Sequence, residues 1–239
     1  MTTLLYQTDS YCTEFDAHVT RVDTENHAVI LDATAFYPGG GGQPNDTGTL
    51  TVNGRDHPVT KVKKQGSDVL HFLEGDPLPN VGDSIHSKID WDRRYQLMRT
   101  HTAMHILCGV VFRDYGAQVT GGDMDPLKGR MDFEFESMRQ ELVREIEERI
   151  NAEVAAARDL RVKILPREEA FQIPDLIRTK INLLPEGIQE VRTVEIVGLD
   201  LQADGGTHVH NTSEVGTLRV VDYKSKGKIN KRIYLEIAP

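Results

Sequence analysis

Cysteine is nearly absent from this chain. Cys12 and Cys108 are the only two among 239 residues. Two cysteines make no disulfide framework, and both read as free thiols of a reducing compartment. Long apolar runs are absent too. None approaches the roughly 18 residues of a membrane span, so no membrane association is expected. The opening Met1-Thr2-Thr3-Leu4-Leu5-Tyr6-Gln7 lacks a basic region leading into an apolar stretch. No secretory signal is visible there, and a cytoplasmic location is the expectation. An excess of positive charge is also missing. The formal charge is −9, which over the whole chain argues against a nucleic-acid binder. The charge is uneven, however. Arg93, Arg94 and Arg99 stand together, and Lys224, Lys226, Lys228, Lys231 and Arg232 crowd the C-terminal end. Such a local basic face can hold phosphates against the net sign; a solvated lysine-rich loop accounts for it equally well.

Residues 1–90 read as β-rich. Short apolar or β-branched runs at Ala17–Val22, Ala28–Leu31, Gly48–Val52, Pro58–Lys63, Val69–Leu73 and Ser84–Ile89 are separated by turn residues. That spacing suggests a small barrel. Within it lies the run Gly39-Gly40-Gly41-Gly42-Gln43. Four glycines leave the backbone open to positive φ and to close approach by a ligand, or they form a flexible hairpin tip. The run lacks the Gly-Lys-Ser/Thr ending of a phosphate-binding Walker loop.

The pattern changes at Asp90, a helix-capping residue. We place the domain boundary here, dividing the chain into 1–90 and 91–239. A helix is expected from Trp91 to Gly116, then strands at Ala117–Gly121 and Gly129–Glu136. The longest helix candidate runs from Ser137 to Arg158, with an apolar stripe of Leu142, Ile146, Ile150 and Val154. A strand at Arg161–Leu165, a short helix at Arg167–Phe171, a loop punctuated by Pro174 and Pro185, and strands at Val191–Val197, Glu214–Val221 and Ile229–Ile237 complete the reading.

The chemistry concentrates in two stretches. His101 and His105 stand four apart on the first helix, on one face and one turn apart. Two imidazoles so placed can bind one metal ion, or can do separate jobs. Asp204 and His208 are again four apart, with Gly205 and Gly206 between them. His101, His105, Asp204 and His208 together make a plausible tetrahedral zinc set. Thr102 stands where the H-E-x-x-H pattern of zinc proteases has its glutamate, so a hydrolase built here needs another base. Cys108 can approach the metal, or serve as a small buried residue of the helix.

Four segments in register carry a resemblance: Thr34 to Gly48 around the glycine run, Arg99 to His105, Asp204 to Gly216, and Lys226 to Glu236. Together they look like the alanyl-tRNA editing proteins of the AlaX family, in its medium-length class, free-standing relatives of the editing domain of alanyl-tRNA synthetase. The resemblance covers nearly the whole chain. It implies an α+β fold, a small N-terminal β-barrel followed by an α/β editing domain like that of threonyl- and alanyl-tRNA synthetases. It implies an aminoacyl-tRNA deacylase acting in trans on Ser-tRNA(Ala), and in some members on Gly-tRNA(Ala), with one zinc ion per chain and tRNA as partner. The family's metal ligands fall on His101, His105 and His208. Its fourth ligand is usually a cysteine, and here Asp204, a harder ligand, takes that place. Thr120 falls about where the family has a polar residue that recognises the serine hydroxyl. Thr120 and Asp204 are therefore the expected catalytic pair, Gly39, Gly40, Gly41, Gly42, Gln43 and Met104 the expected substrate contacts, and Lys226, Lys228 and Lys231 the expected tRNA contacts. Two rivals follow from the Asp204 departure and the negative charge: a catalytically inactive tRNA-binding module of the same fold, and a metallohydrolase of another small ester.

Overall fold

The computed structural model describes residues 2–179, 184 and 187–238. Pro185, read above as part of a loop, lies outside them. The chain divides into two compact units, Met1–Gln96 and Leu97–Pro239.

The first unit is built on strands β1 (Thr3–Leu4), β2 (Glu14–Asp23), β3 (Ala28–Leu31), β4 (Ala33–Thr34), β5 (Gly48–Val52), β6 (Arg55–Gln65), β7 (Asp68–Leu73) and β8 (Ser84–Ile89). Six of them close into a barrel in the order β2-β3-β7-β6-β5-β8. Each expected strand is present. The alternation explains the closure: along β2, Phe15, Ala17 and Val19 point inward while their neighbours are exposed. Phe36, Leu50, Val59 and Ile89 fill the interior with them. Gly48 makes the closure tight. A Cβ there would meet the Lys88 carbonyl oxygen at 2.2 Å and Phe36 Cε1 at 2.9 Å, so only glycine fits where β5 crosses β8.

The glycine run forms a hydrogen-bonded turn. Gly39, Gly40, Gly41 and Gly42 all take positive φ, which side chains resist. Gly40 and Gln43 exchange backbone hydrogen bonds of 3.0 and 2.9 Å, and the Tyr37 hydroxyl donates to the Gly40 carbonyl at 2.9 Å.

Helix α1 (Trp91–Tyr115) opens where Asp90 accepts from the Arg93 amide at 3.2 Å, and ends at Gly116 with φ +64°. The second unit continues with β9 (Val119–Asp125), β10 (Lys128–Glu134), α2 (Gln140–Ala155), β11 (Leu160–Pro166), α3 (Arg167–Ala170), β12 (Glu190–Ile196), β13 (Asp200–Ala203), β14 (Leu218–Ser225) and β15 (Asn230–Ile237). The strands form two antiparallel sheets, ordered β14-β15-β10-β9 and β11-β12-β13.

Two expectations need correction. The buried stripe of α2 is Val143, Ile146, Ile150 and Glu153, not one through Leu142 and Val154, which are half-buried. Glu153 can be buried because Arg113 and Arg158 both donate to its carboxylate. The strand expected from Glu214 starts at Leu218. Residues Thr212–Glu214 form a 3-10 turn instead, capped by Asn211, whose side chain accepts from the Ser213 amide while Glu214 accepts from the Asn211 amide. Strand β13 has no counterpart among the expected elements, because its few residues carry no alternation long enough to register.

Candidate metal centre

His101 and His105 lie on α1, within the second unit, and their rings meet edge to face with centroids 5.0 Å apart. The turn after β13 supplies the other half. Asp204 is held there by its own loop: its carboxylate accepts from the Gly206 amide at 2.8 Å, and its carbonyl accepts from Arg192 Nη1 at 3.0 Å. His208 follows one short turn later, its ring stacked on His101 with centroids 4.3 Å apart. Beyond it the loop is docked on the end of α2. Asn211 donates to the Ala157 carbonyl at 2.8 Å, and the Thr212 hydroxyl donates to the Glu153 carbonyl at 2.9 Å. The segment Asn211 to Glu214 thus anchors the loop and places His208.

His101, His105, Asp204 and His208 each offer a ligand atom, all within 4.8 Å of one another. His101 Nε2 is 3.5 Å from Asp204 Oδ1, and His208 Nε2 is 3.0 Å from Asp204 Oδ2. The three histidines are only 3–6% exposed. Burial pushes His101 well below the ordinary histidine range and His208 down to about 4, so both stay neutral and keep a lone pair. Burial opposes the charged form of His105 as well, but Asp200 and Asp204 together outweigh that and raise its pKa. Burial likewise opposes ionisation of Asp204, yet the surrounding imidazoles, His101 first, hold it well below the usual carboxylate range. Three imidazoles and one carboxylate, converging and buried, fit a divalent cation. A single ion with bonds of about 2 Å can span such a group, and without one a carboxylate and three rings share a nearly dry space for no evident structural gain.

Further residues orient the donors. Thr102, in the place of the protease glutamate, has its hydroxyl 3.1 Å from His208 Nδ1. It is therefore a partner of a ligand and no free base. His105 Nδ1 stands 3.4 Å from Asp200 Oδ2. Cys108 is buried, its thiol pushed up by burial and then by Asp200, which disfavours the thiolate a metal would need.

The other expected site residues fall out differently. Met104 is buried against the sheet: a Cβ on Gly129 would meet its sulfur at 3.0 Å, and one on Gly122 its methyl at 3.1 Å. It packs α1 onto β9 and β10. Gln43 is buried, whereas Gly40 and Gly41 at the tip of its turn are exposed. Thr120 is exposed on β9, and its hydroxyl donates to Asn230 Oδ1 at 3.0 Å. Lys231 is corrected most firmly. It is 6% exposed, with its ammonium donating to the Gly227 and Lys228 carbonyls at 2.8 and 2.9 Å. It closes the β14–β15 hairpin with its ammonium turned onto those carbonyls, while Lys226 and Lys228 are exposed. The arginine trio likewise dissolves: Arg94 is buried and Arg99 donates to the Val215 carbonyl at 3.0 Å.

Comparison with known proteins finds a match in each unit. Residues 8–93 match the family model described as tRNA synthetases class II (A), and residues 191–234 match the threonyl and alanyl tRNA synthetase second additional domain. The second match contains Asp204 and His208. The alanyl-tRNA editing protein AlaX-M of Saccharolobus solfataricus is 42% identical, with 100% of both chains covered. That of Methanosarcina barkeri is 38% identical over 99% of each. The alanine–tRNA ligase of Ignicoccus hospitalis is 39% identical over 91% of this chain, which corresponds to 24% of the ligase.

Proposed function

The chain belongs to the AlaX-M family of alanyl-tRNA editing proteins, and from that membership we propose that it hydrolyses the ester of serine wrongly attached to tRNA(Ala), with the glycine ester as a second substrate, at a zinc site formed by His101, His105, Asp204 and His208. The observation that carries this reading is the convergence of those four donors within 4.8 Å. Such an activity has a physical rationale. A synthetase pocket for alanine cannot strongly reject an added hydroxyl, and one methylene is worth only about 1–3 kcal/mol. A second site must remove the errors.

A bound zinc ion would act as a Lewis acid toward an ester carbonyl or lower the pKa of water. What the chain itself does is narrower. His101 and His208 supply neutral nitrogen at working pH. Asp204 supplies a negative charge balanced in part by Arg192, whose Nη1 is 3.6 Å from its Oδ2. Thr102 holds the His208 ring in place. In this reading Thr120 reads the serine hydroxyl, its oxygen accepting from substrate while its own proton stays on Asn230 Oδ1. The exposed Lys226 and Lys228 meet tRNA phosphates. No described helix is long and apolar enough to cross a membrane.

The test is direct. Purified protein, supplied with zinc, is incubated with serylated tRNA(Ala), and ester loss is compared with the spontaneous rate. Equal rates overturn the proposal. A second expectation concerns the lysines. Each phosphate contact adds roughly one unit to the slope of log affinity against log salt. Lys226→Ala combined with Lys228→Ala should flatten that slope by about two units, measured by tRNA binding at several salt concentrations. An unchanged slope removes the hairpin from the tRNA surface.

A further inference from the structure

We propose that Asp200 is a positioning residue of the centre, an inference that rests on the metal reading above. Its carboxylate holds the proton of His105 on Nδ1, which leaves Nε2 as the lone pair for a cation. His105 Nδ1 is a buried atom with no closed hydrogen bond among the described residues, and Asp200 Oδ2 stands 3.4 Å from it. Such pairs tighten when a site is loaded.

The surroundings are built to keep Asp200 there. Asp200 is itself buried. Gly109, one turn along α1 from His105, lets it approach: a Cβ on Gly109 would meet Asp200 Cβ at 3.0 Å and Leu199 Cγ at 2.9 Å. Arg178 Nε donates to Asp200 Oδ1 at 3.2 Å, and its guanidinium lies 3.9 Å from the centroid of the Phe112 ring. The Gln202 amide donates to Oδ2 at 2.6 Å. His105, Gly109 and Phe112 occupy one face of α1 at spacings of four and three. One face of the helix therefore carries the ligand, the gap for its partner, and the platform for the partner's counter-charge.

The isosteric change Asp200→Asn separates this role from packing. Arginine offers donors only, so the asparagine oxygen must stay beside Arg178. Its NH2 then falls on the side of Gln202 and His105. Gln202 can turn its own oxygen toward that group. His105 Nδ1, now facing a donor, gives up its proton, and the proton moves to Nε2, where a cation would bind. A change of tautomer of this kind follows when the aspartate of a serine-protease triad becomes asparagine.

The experiment uses the full chain. Histidine 15N NMR of the metal-free wild type and of Asp200→Asn reads the tautomer of His105. Competition with a chromophoric chelator reads the affinity for Zn2+ alone, for these two proteins and for Asp200→Ala. The expected result is an Nδ1-protonated His105 in the wild type and an Nε2-protonated one in Asp200→Asn. The Zn2+ affinity of Asp200→Asn should fall by about 10–100-fold, further than that of Asp200→Ala, which imposes no wrong tautomer. A residue that merely fills space gives the reverse order, because asparagine keeps the volume. The proposal is overturned if Asp200→Asn keeps the Nδ1 proton, or binds Zn2+ within about twofold of wild type. A wild type that takes up no Zn2+ overturns the metal reading of the site, and the NMR spectra then decide the positioning role on their own.

Discussion

His101→Ala should lower the rate of ester loss from seryl-tRNA(Ala) by more than about 100-fold, because losing even an outer-shell partner of a metal ligand costs about 10–100-fold. His101 stands close to each of the other three members of the group. Its ring stacks on His208 with centroids 4.3 Å apart, meets His105 at 5.0 Å, and points Nε2 at Asp204 Oδ1 3.5 Å away. Alanine removes a donor and leaves a buried carboxylate facing two rings. The same sample should show zinc lost from one ion per chain to a substoichiometric content by elemental analysis, with the circular dichroism spectrum kept. Thr120→Val is the internal contrast. Thr120 is exposed and bonded to Asn230, so its loss leaves the metal in place. If its hydroxyl reads substrate, the variant changes the ratio of serine to alanine ester cleavage and not the zinc content. A His101→Ala protein that keeps both its zinc and its rate would end the metal reading.

That four donors separated by about a hundred positions could be picked out beforehand follows from the kind of signal they leave. His101 with His105, and Asp204 with His208, are short-range pairs, and a spacing of four is visible in the chain itself. The barrel was legible for the same reason, since β2 and its neighbours alternate residue by residue. What orients the donors is of another kind. Asp200 reaches His105, and Arg178 reaches Asp200, from segments far apart in sequence, so no local pattern marks them. The one trace was Gly109 inside a helix, an unfavourable residue there whose reason is the close approach of Leu199 and Asp200. Charge misled in a systematic way. Lys231 and Arg94 were counted as surface, yet each is buried on acceptors supplied by loops. Glu153 has no apolar side chain to mark it, and yet it lies on the buried face of α2. A residue's charge announces nothing about burial when its partners come from elsewhere in the fold.

Asp46→Ala should destabilise the first unit by about 3–5 kcal/mol, the usual cost of leaving one member of a buried ion pair alone. Arg94 and Asp46 are 0% and 1% exposed at their side chains. Arg94 Nε donates to both Asp46 oxygens at 3.0 Å, and its Nη2 makes a further short contact to Oδ2. The same guanidinium donates to the Ser10 carbonyl at 2.9 Å and the Ala35 carbonyl at 2.6 Å. Asp46 also accepts from the Tyr37 amide at 2.6 Å. The pair therefore ties three segments of the first unit to the opening turn of α1, with the glycine turn held between Tyr37 and Asp46. Two carbonyls remain for Arg94 when Asp46 is gone, but they cannot neutralise it. Replacing both partners, Asp46→Leu with Arg94→Met, removes the uncompensated charge, and such exchanges are often neutral. Here they are not fully so, because the Tyr37 amide and two carbonyls lose partners, at about 1–3 kcal/mol for each buried group left unsatisfied. The double variant should nonetheless be less unstable than the sum of the two single ones. The only tryptophan in the chain, Trp91, stacks on Tyr95 in this unit, so its fluorescence during urea unfolding reports the change. A loss below about 1 kcal/mol for Asp46→Ala would place the pair with ordinary surface salt bridges.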